Sequence, residues 1–308
     1  MDPTVACSNC AMPLAHEYCG HCGQRRFRPE HRRLRHLLGQ FFEALTDFDS
    51  RVWRSLRALA FQPGRMTRDW FAGRRVYWMS PVALFLLANL LFFLAPAITD
   101  FDLPLRDHVS AALRQEYSDP ADATAAGGVR SGQPHSRYTE RWVRARLHQR
   151  AAQRREVGLD ASPAATFAAQ AQAYAQASAS YSKLLIVLHV PFLALGLQLL
   201  LLGSRRYFAE HMAAALHFFA FVLFFVEAIV LPTELLGDAL ALQGEMPAWV
   251  KGLVGTLLVV HTCRMLRVAY GCTWWRALVA GMALPLLLLA INVTVYRALQ
   301  FAFLFLLA

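Results

Sequence analysis

An all-α, polytopic membrane protein with about five transmembrane helices and a small N-terminal metal ribbon is the architecture this sequence predicts. Three observations carry it. Hydrophobic residues make up 56% of the 308 positions and charged residues only 17%, against about 25% charged in a soluble domain. The apolar surplus is gathered into long uncharged runs, the signature of membrane spans. Four of the six cysteines fall within the first 22 residues, as Cys7-x2-Cys10-x8-Cys19-x2-Cys22. That clustering is a metal-ligand spacing, not the dispersed pattern of a secreted disulfide scaffold.

Residues 1–24 form the ribbon. Each cysteine pair reaches one ion from a tight turn, and two turns complete a tetrahedral set of four thiolates. Zinc is the expected ion, with rubredoxin-like iron as the minor alternative. Four thiolates leave no open coordination position, so the site is read as structural, not catalytic. Gly20 and Gly23 flank the second pair, while Ala11 stands where such knuckles commonly carry glycine. His16 and His21 are nearby competing ligands, but four cysteines suffice. No basic segment followed by an apolar run precedes the ribbon, so no signal peptide is read there.

Residues 25–76 form a basic linker and amphipathic interfacial helices. Leu34, Leu37, Leu38, Phe41, Phe42, Leu45 and Phe48 fall on one helical stripe. Val52, Trp53, Leu56 and Leu59 form a second, with Arg51, Arg54 and Arg57 beside it. Pro63-Gly64 signals a turn, and a third short helix is expected around 65–73. Arginines beside an apolar stripe suit a helix in the headgroup plane, and packing on the ribbon or the spans is the competing reading. Residues 1–77 hold 13 arginines against 7 acids within a net charge of +10. That excess points to anionic lipid or an acidic partner.

The first span is placed at 77–99, where no charge falls between Arg75 and Asp100 and Tyr77 and Trp78 mark the interface. Residues 100–181 form an extracytoplasmic loop, partly helical. Its middle, 118–136, is Gly/Ala/Pro/Ser-rich and expected to be flexible. Residues 138–157 read as an Arg-rich helix, and 164–181 as a second helix with Phe167, Tyr174 and Tyr181 on one face packing on the rest of the loop. Spans two to five occupy 182–308. The second lies between Lys183 and Arg205, the third between Glu210 and Glu234, the fourth from Trp249 to about Leu266, and the fifth from Ala277 to Tyr296. The fourth is short enough to leave a re-entrant path open. The apolar tail 298–308 either extends the fifth helix or turns along the interface.

Basic residues in the short loops set the orientation. Arg74 and Arg75, Arg205 and Arg206, and Arg264, Arg267 and Arg276 all put the N-terminus inside and the C-terminus outside, whereas Glu234, Asp238 and Glu245 fall on the opposite side. The ribbon is then cytoplasmic, where its thiols stay reduced.

His189, His211, His217, Glu227 and His261 form a candidate intramembrane polar site, with Asn89 and Asn292 nearby in the spans. Ionisable residues in a bilayer are costly and are functional candidates by default. Depth along the helices pairs His217 with His261 and His189 with Glu227. The competing reading is hydrogen-bonded glue between helices. No catalytic residues emerge, because no nucleophile with its base and no phosphate-binding glycine loop is present, and an enzyme is not expected.

In order along the chain come Pro63-Gly64, Trp70, Gly73-Arg74-Arg75, Tyr77 and Pro81, with a ribbon ending in Cys22-Gly23-Gln24 and a later Tyr207-Phe-Ala-Glu210-His211 followed by His217. Together these resemble the bacterial inner-membrane proteins grouped as domain of unknown function 3667. The resemblance covers both ends of the chain and most spans, and leaves out much of 100–181. It implies a zinc-ribbon-headed multi-span protein and carries no activity with it. The reading is a membrane adaptor or scaffold whose ribbon binds a cytosolic protein, with membrane lipids as further partners and a homo-oligomer left open. The alternative is a small transporter or lipid-handling protein using the intramembrane His and Glu residues. Nucleic acid is disfavoured, since the ribbon offers only Tyr18 for stacking.

Overall fold

The computed structural model describes residues 5–14, 16–26, 51–94, 103–117, 133–230, 232 and 247–308. The helix expected over 34–48 and most of the 118–136 segment lie outside the described residues. In chain order the elements are β1 (Val5–Ala6), β2 (Pro13–Leu14), α1 (Arg51–Phe61), α2 (Arg65–Phe71), α3 (Pro81–Leu94), α4 (Leu105–His108), α5 (Ala111–Tyr117), α6 (Ser136–Glu156), α7 (Pro163–Leu185), α8 (His189–Leu200), α9 (Phe208–Phe225), α10 (Ala248–Tyr270), α11 (Trp274–Ile291) and α12 (Arg297–Leu307). The chain divides into two compact units, residues 1–98 with 190–288, and 99–189 with 289–308.

In the first unit α3 and α9 pack along their lengths. Small residues on α9 (Ala213, Ala214 and Ala220) let the backbones approach, and Phe85 stacks on Phe219 at 5.5 Å. Pro81 opens α3 at a position where its missing N–H costs nothing. Helix α9 is the hub: 61% of its apolar window is buried, against 22% for α10. Leu253, Leu257 and Val260 on α10, and Met282, Leu286 and Leu289 on α11, are exposed instead. Large apolar side chains turned outward in rows are what a lipid solvent requires and what a water-facing helix avoids.

Among the described residues three helices are long and apolar enough to cross a membrane: Phe208–Val230, Ala248–Tyr270 and Trp274–Leu307. A bent pair, Pro163–Ser182 with Ile186–Leu200, makes a fourth if taken as one span. Helix α3 is apolar but has 14 residues, a rise of about 21 Å against a hydrocarbon core of about 30 Å; residues 95–102, which follow it, lie outside the described set. The expected fourth span is one unbroken helix of 23 residues. Two spans widen into π-helical turns, Val226–Val230 and Asn292–Tyr296. These turns contain Glu227 and Asn292, two of the polar residues marked in the sequence.

Gly64 needs to be glycine twice over. Its φ of +81° is left-handed, and a Cβ there would sit 2.3 Å from the Met265 carbonyl oxygen. The Pro63-Gly64 turn therefore presses the start of α2 against the backbone of α10.

The second unit resolves the path of the C-terminal tail. The chain stays helical through Arg297, and α12 becomes the centre of a buried hydrophobic core. Phe301, Leu304 and Phe305 pack with Leu105, Val109, Leu113 and Tyr117 of α4 and α5, Val143 and Leu147 of α6, and Tyr174 of α7. Arg150 donates to the Ala308 carbonyl at 2.7 Å and to Ala169 at 2.9 Å. The described residues of 103–185 thus pack as helices around the tail. Phe167 meets Tyr117 at 6.4 Å, and Tyr174 is fully buried. Tyr181 meets Phe303 at 6.1 Å while staying 42% exposed.

Candidate metal centre

Cys7, Cys10, Cys19 and Cys22 converge, with all four sulfurs within 4.8 Å of one another. Cys7 Sγ lies 3.7 Å from Cys22 Sγ, and Cys10 Sγ 3.6 Å from Cys19 Sγ. The two halves of the ribbon repeat one design. In the first, β1 pairs antiparallel with β2, Ala11 N–H donates to Cys7 O, and Cys7 N–H donates to Met12 O. In the second, Tyr18 bridges Arg25, Gly23 N–H donates to Cys19 O, and Cys19 N–H donates to Gln24 O. The chain turns left-handed at the same place in each, Ala11 with φ 61° and Gly23 with φ 71°. Backbone N–H groups of Cys22 and His21 directed at the sulfur pull the Cys19 thiol down, while Cys10, against the pull of the Met12 backbone, is pushed up by burial and by the three neighbouring sulfurs. His16 and His21 are exposed and stand outside the converging set. The four sulfurs can hold a metal ion.

The ribbon is bolted to the turn that precedes α3. Gln24, 4% exposed, donates its amide to Gly73 O at 2.9 Å and accepts from the N–H groups of Arg75 and Val76, both at 3.2 Å. Ser8 Oγ adds a longer bond to Gly73 O, 3.4 Å. The seat is itself locked. Asp69, buried among arginines, pairs with Arg74 and accepts from Trp78 Nε1 at 3.0 Å. Arg75 lies over the Trp70 ring at 4.2 Å, and Ser55 Oγ accepts from Met79 N–H. Sequence reasoning missed Gln24, Ser55 and Asp69 as working residues. Asp69 carried a faint signal, as the one acid between Ser50 and Asp100.

The intramembrane candidates have separate partners. His217 Nδ1 bonds Thr67 Oγ1 on α2 at 2.9 Å, and His261 Nε2 donates to Leu59 O at the end of α1 at 2.8 Å. His261 also stacks on Phe221 at 3.4 Å. His217 and His261 do not bond each other; each ties a span to one of the two short helices before α3. His211 Nδ1 bonds the Tyr270 hydroxyl at 2.9 Å. Glu210 caps α9 through Tyr207 N–H, and Arg206 lies 3.4 Å from it. In the second unit His189 Nδ1 donates to Ile186 O, with Tyr296 against its ring at 4.3 Å. Glu227 is half-buried in its π-helical turn.

The segment that forms the ribbon's seat can now be compared with known families. Residues 49–93 match the family model for the protein of unknown function DUF3667. The matched stretch holds α1, α2, the Gly73–Trp78 turn and most of α3. Its residues have visible tasks here: Gly64 meets α10, Gly73 receives Gln24, Arg74 holds Asp69, and Arg75 covers Trp70. No curated protein and no solved structure matches the chain. The DUF3667 match, the converging cysteines and the outward-facing apolar helices make this a membrane protein with a metal-capable ribbon.

Proposed function

We propose that the ribbon holds one zinc ion and serves as the docking head of a membrane adaptor in the bacterial inner membrane, with the N-terminus cytoplasmic. Zinc bound to four sulfurs at about 2.3 Å needs sulfurs about 3.8 Å apart, and the separations of 3.6 and 3.7 Å fit that tetrahedron. A closed four-thiolate shell gives the ion a structural task. The orientation rests on the arginines of the short loops and on the reducing compartment that free thiolates require.

The observation that carries the adaptor reading is the double-sided ribbon. One face is fixed to the turn before α3 through Gln24, while Met12 and Tyr18 remain 48% and 59% exposed. A head held rigidly at the membrane presents those side chains without the entropy cost of a swinging domain. The test is affinity capture from native membranes, comparing the wild-type chain with a Cys19→Ser/Cys22→Ser variant that still inserts. A cytosolic protein held only by the wild type is expected; identical captures would contradict the reading.

A carrier using the intramembrane residues is favoured by one observation, the placement of Glu227 in a π-helical turn, a feature frequent at functional sites. Glu227→Gln should abolish proton-coupled transport while leaving insertion intact if that reading holds.

A further inference from the structure

We infer that the hairpin formed by α1 and α2 is a lipid-binding wedge on the ribbon side of the membrane, with Trp53 and Phe61 entering the bilayer and Arg57, Arg264 and Arg267 holding the headgroups of anionic phospholipid. The inference rests on the membrane reading of the spans and is independent of the adaptor reading of the ribbon.

The depth of the hairpin follows from its contacts. Helices α9 and α10 run antiparallel, with Phe221 stacked on His261 and His211 bonded to Tyr270. The hairpin hangs on both. Leu59 O, at the end of α1, accepts from His261, Thr67 of α2 bonds His217, and Phe71, the last residue of α2, meets Tyr270 at 5.3 Å. From Tyr270 to His261 the helix rises about 14 Å, so the crest of the hairpin reaches that far up α10. Arg264 is the first charge on α10 after Lys251, and Arg267 follows about one turn later. The boundary between hydrocarbon and headgroups therefore falls near Arg264. The crest stands just on its apolar side, and the arms of the hairpin lie at headgroup depth. At the level of the crest Leu257 and Val260 of α10 also face outward, so lipid is the solvent there.

The surface of the hairpin matches that depth. Trp53, Arg57 and Phe61 are four apart and share one face of α1, opposite the buried Val52, Ser55, Ala58 and Leu59. The apolar stripe read from the sequence thus splits, with Val52 and Leu59 turned into the protein and Trp53 turned out. Trp53 is 78% and Phe61 79% exposed. Aromatic rings this open are costly in water and at home at a bilayer boundary. Arg57, Arg264 and Arg267 are exposed as well. Among the described residues no carboxylate lies within ion-pair distance of these three. Residues 51–75 hold seven arginines and one acid, Asp69, which is buried against Arg74, and no acid follows Glu245 in the chain. Guanidinium groups offer only donors, in forks that match phosphodiester oxygens. Near an anionic leaflet each such cation strengthens attachment by about fivefold. An acidic protein would answer the arginines but not the aromatic crest, which stands at a depth the bilayer itself fills.

The test uses the full chain reconstituted in phosphatidylcholine bilayers with a trace of spin-labelled lipid. The wild type is expected to restrict spin-labelled phosphatidylglycerol in preference to spin-labelled phosphatidylcholine by about threefold or more. Arg57→Gln/Arg264→Gln/Arg267→Gln should lose most of that preference, and Arg57→Lys/Arg264→Lys/Arg267→Lys should keep it, since the attraction is one of charge. Circular dichroism checks that both variants stay folded. Independently, a fluorescent amino acid in place of Phe61 should be quenched by phosphatidylcholine brominated in its acyl chains. Undiminished preference in the Gln variant, or a Lys variant as impaired as the Gln variant, overturns the proposal. So does a residue 61 that the brominated chains fail to quench, the result expected if a protein partner or a second copy covers the hairpin.

Discussion

Ala11 and Gly23 occupy equivalent corners of the two knuckles, and only one of them suits its backbone. Both are left-handed, a conformation that strains any residue with a Cβ and leaves glycine at ease. Ala11→Gly is therefore expected to stabilise the ribbon by about 0.5–1 kcal/mol, and Gly23→Ala to destabilise it by at least as much. The readout is resistance of the bound metal to a chelator, and equal behaviour of the two variants would contradict the assignment. The departure at Ala11 was legible in the sequence because knuckle spacing fixes where the turn must fall. Gln24 was not, although it closes the ribbon's last turn. Its partners sit 49 to 52 positions away, and nothing local distinguishes a docking glutamine from a solvated one.

Helices were the most readable elements, since uncharged runs and 3.6-residue stripes are statements about what a helix face touches. The Arg-rich helix expected over 138–157 spans Ser136–Glu156. The π-helical turns were not readable, because one extra residue per turn leaves no compositional mark. Nor was the pairing of α4 with the start of α6. There His108 and His135 lie buried, with ring nitrogens 3.1 Å apart and Phe301 stacked on both. Burial first, then the charges of His135 and Arg297, pushes His108 down to about 3; burial and Arg297 push His135 down to about 4. Both imidazoles are neutral when folded, whereas in the unfolded chain they take up protons near pH 6.5. The unfolded state binds more protons below that value, so stability is full above about pH 6.5 and is lost as pH falls toward 4 and then 3. Thermal unfolding of the second unit, followed through Trp142 against Phe305, should show a falling midpoint between pH 7 and 5. His108→Phe/His135→Phe should flatten that slope; an unchanged slope in the double variant would contradict the assignment.

For the whole molecule, the tail carries the topological information. Because α12 packs in the core formed by the described part of residues 103–185, the five-span reading predicts that this unit and residue 308 lie on one side of the membrane. An even number of crossings must then separate Leu185 from Arg297. The expected second to fifth spans would supply four, with the first at 77–99; the described residues show three helices of spanning length and a fourth if the bent pair counts as one. Reporters inserted at 125 and after Ala308 are expected to give the same sidedness, opposite to one before Cys7. A cytoplasmic signal from the reporter after Ala308 alone would break the scheme. Composition made the membrane class plain, but it left the tail between two paths. An apolar helix that fills a protein core has the same composition as one that meets lipid.

The central claim is that the metal-ordered ribbon presents a binding face at the membrane. A photo-crosslinking residue placed at Tyr18, in living cells, tests it most directly. The account predicts a discrete adduct with a cytosolic protein in the otherwise wild-type chain and its loss when Cys19 and Cys22 are replaced by serine. No adduct at position 18, or the same adduct with and without the two cysteines, would contradict it.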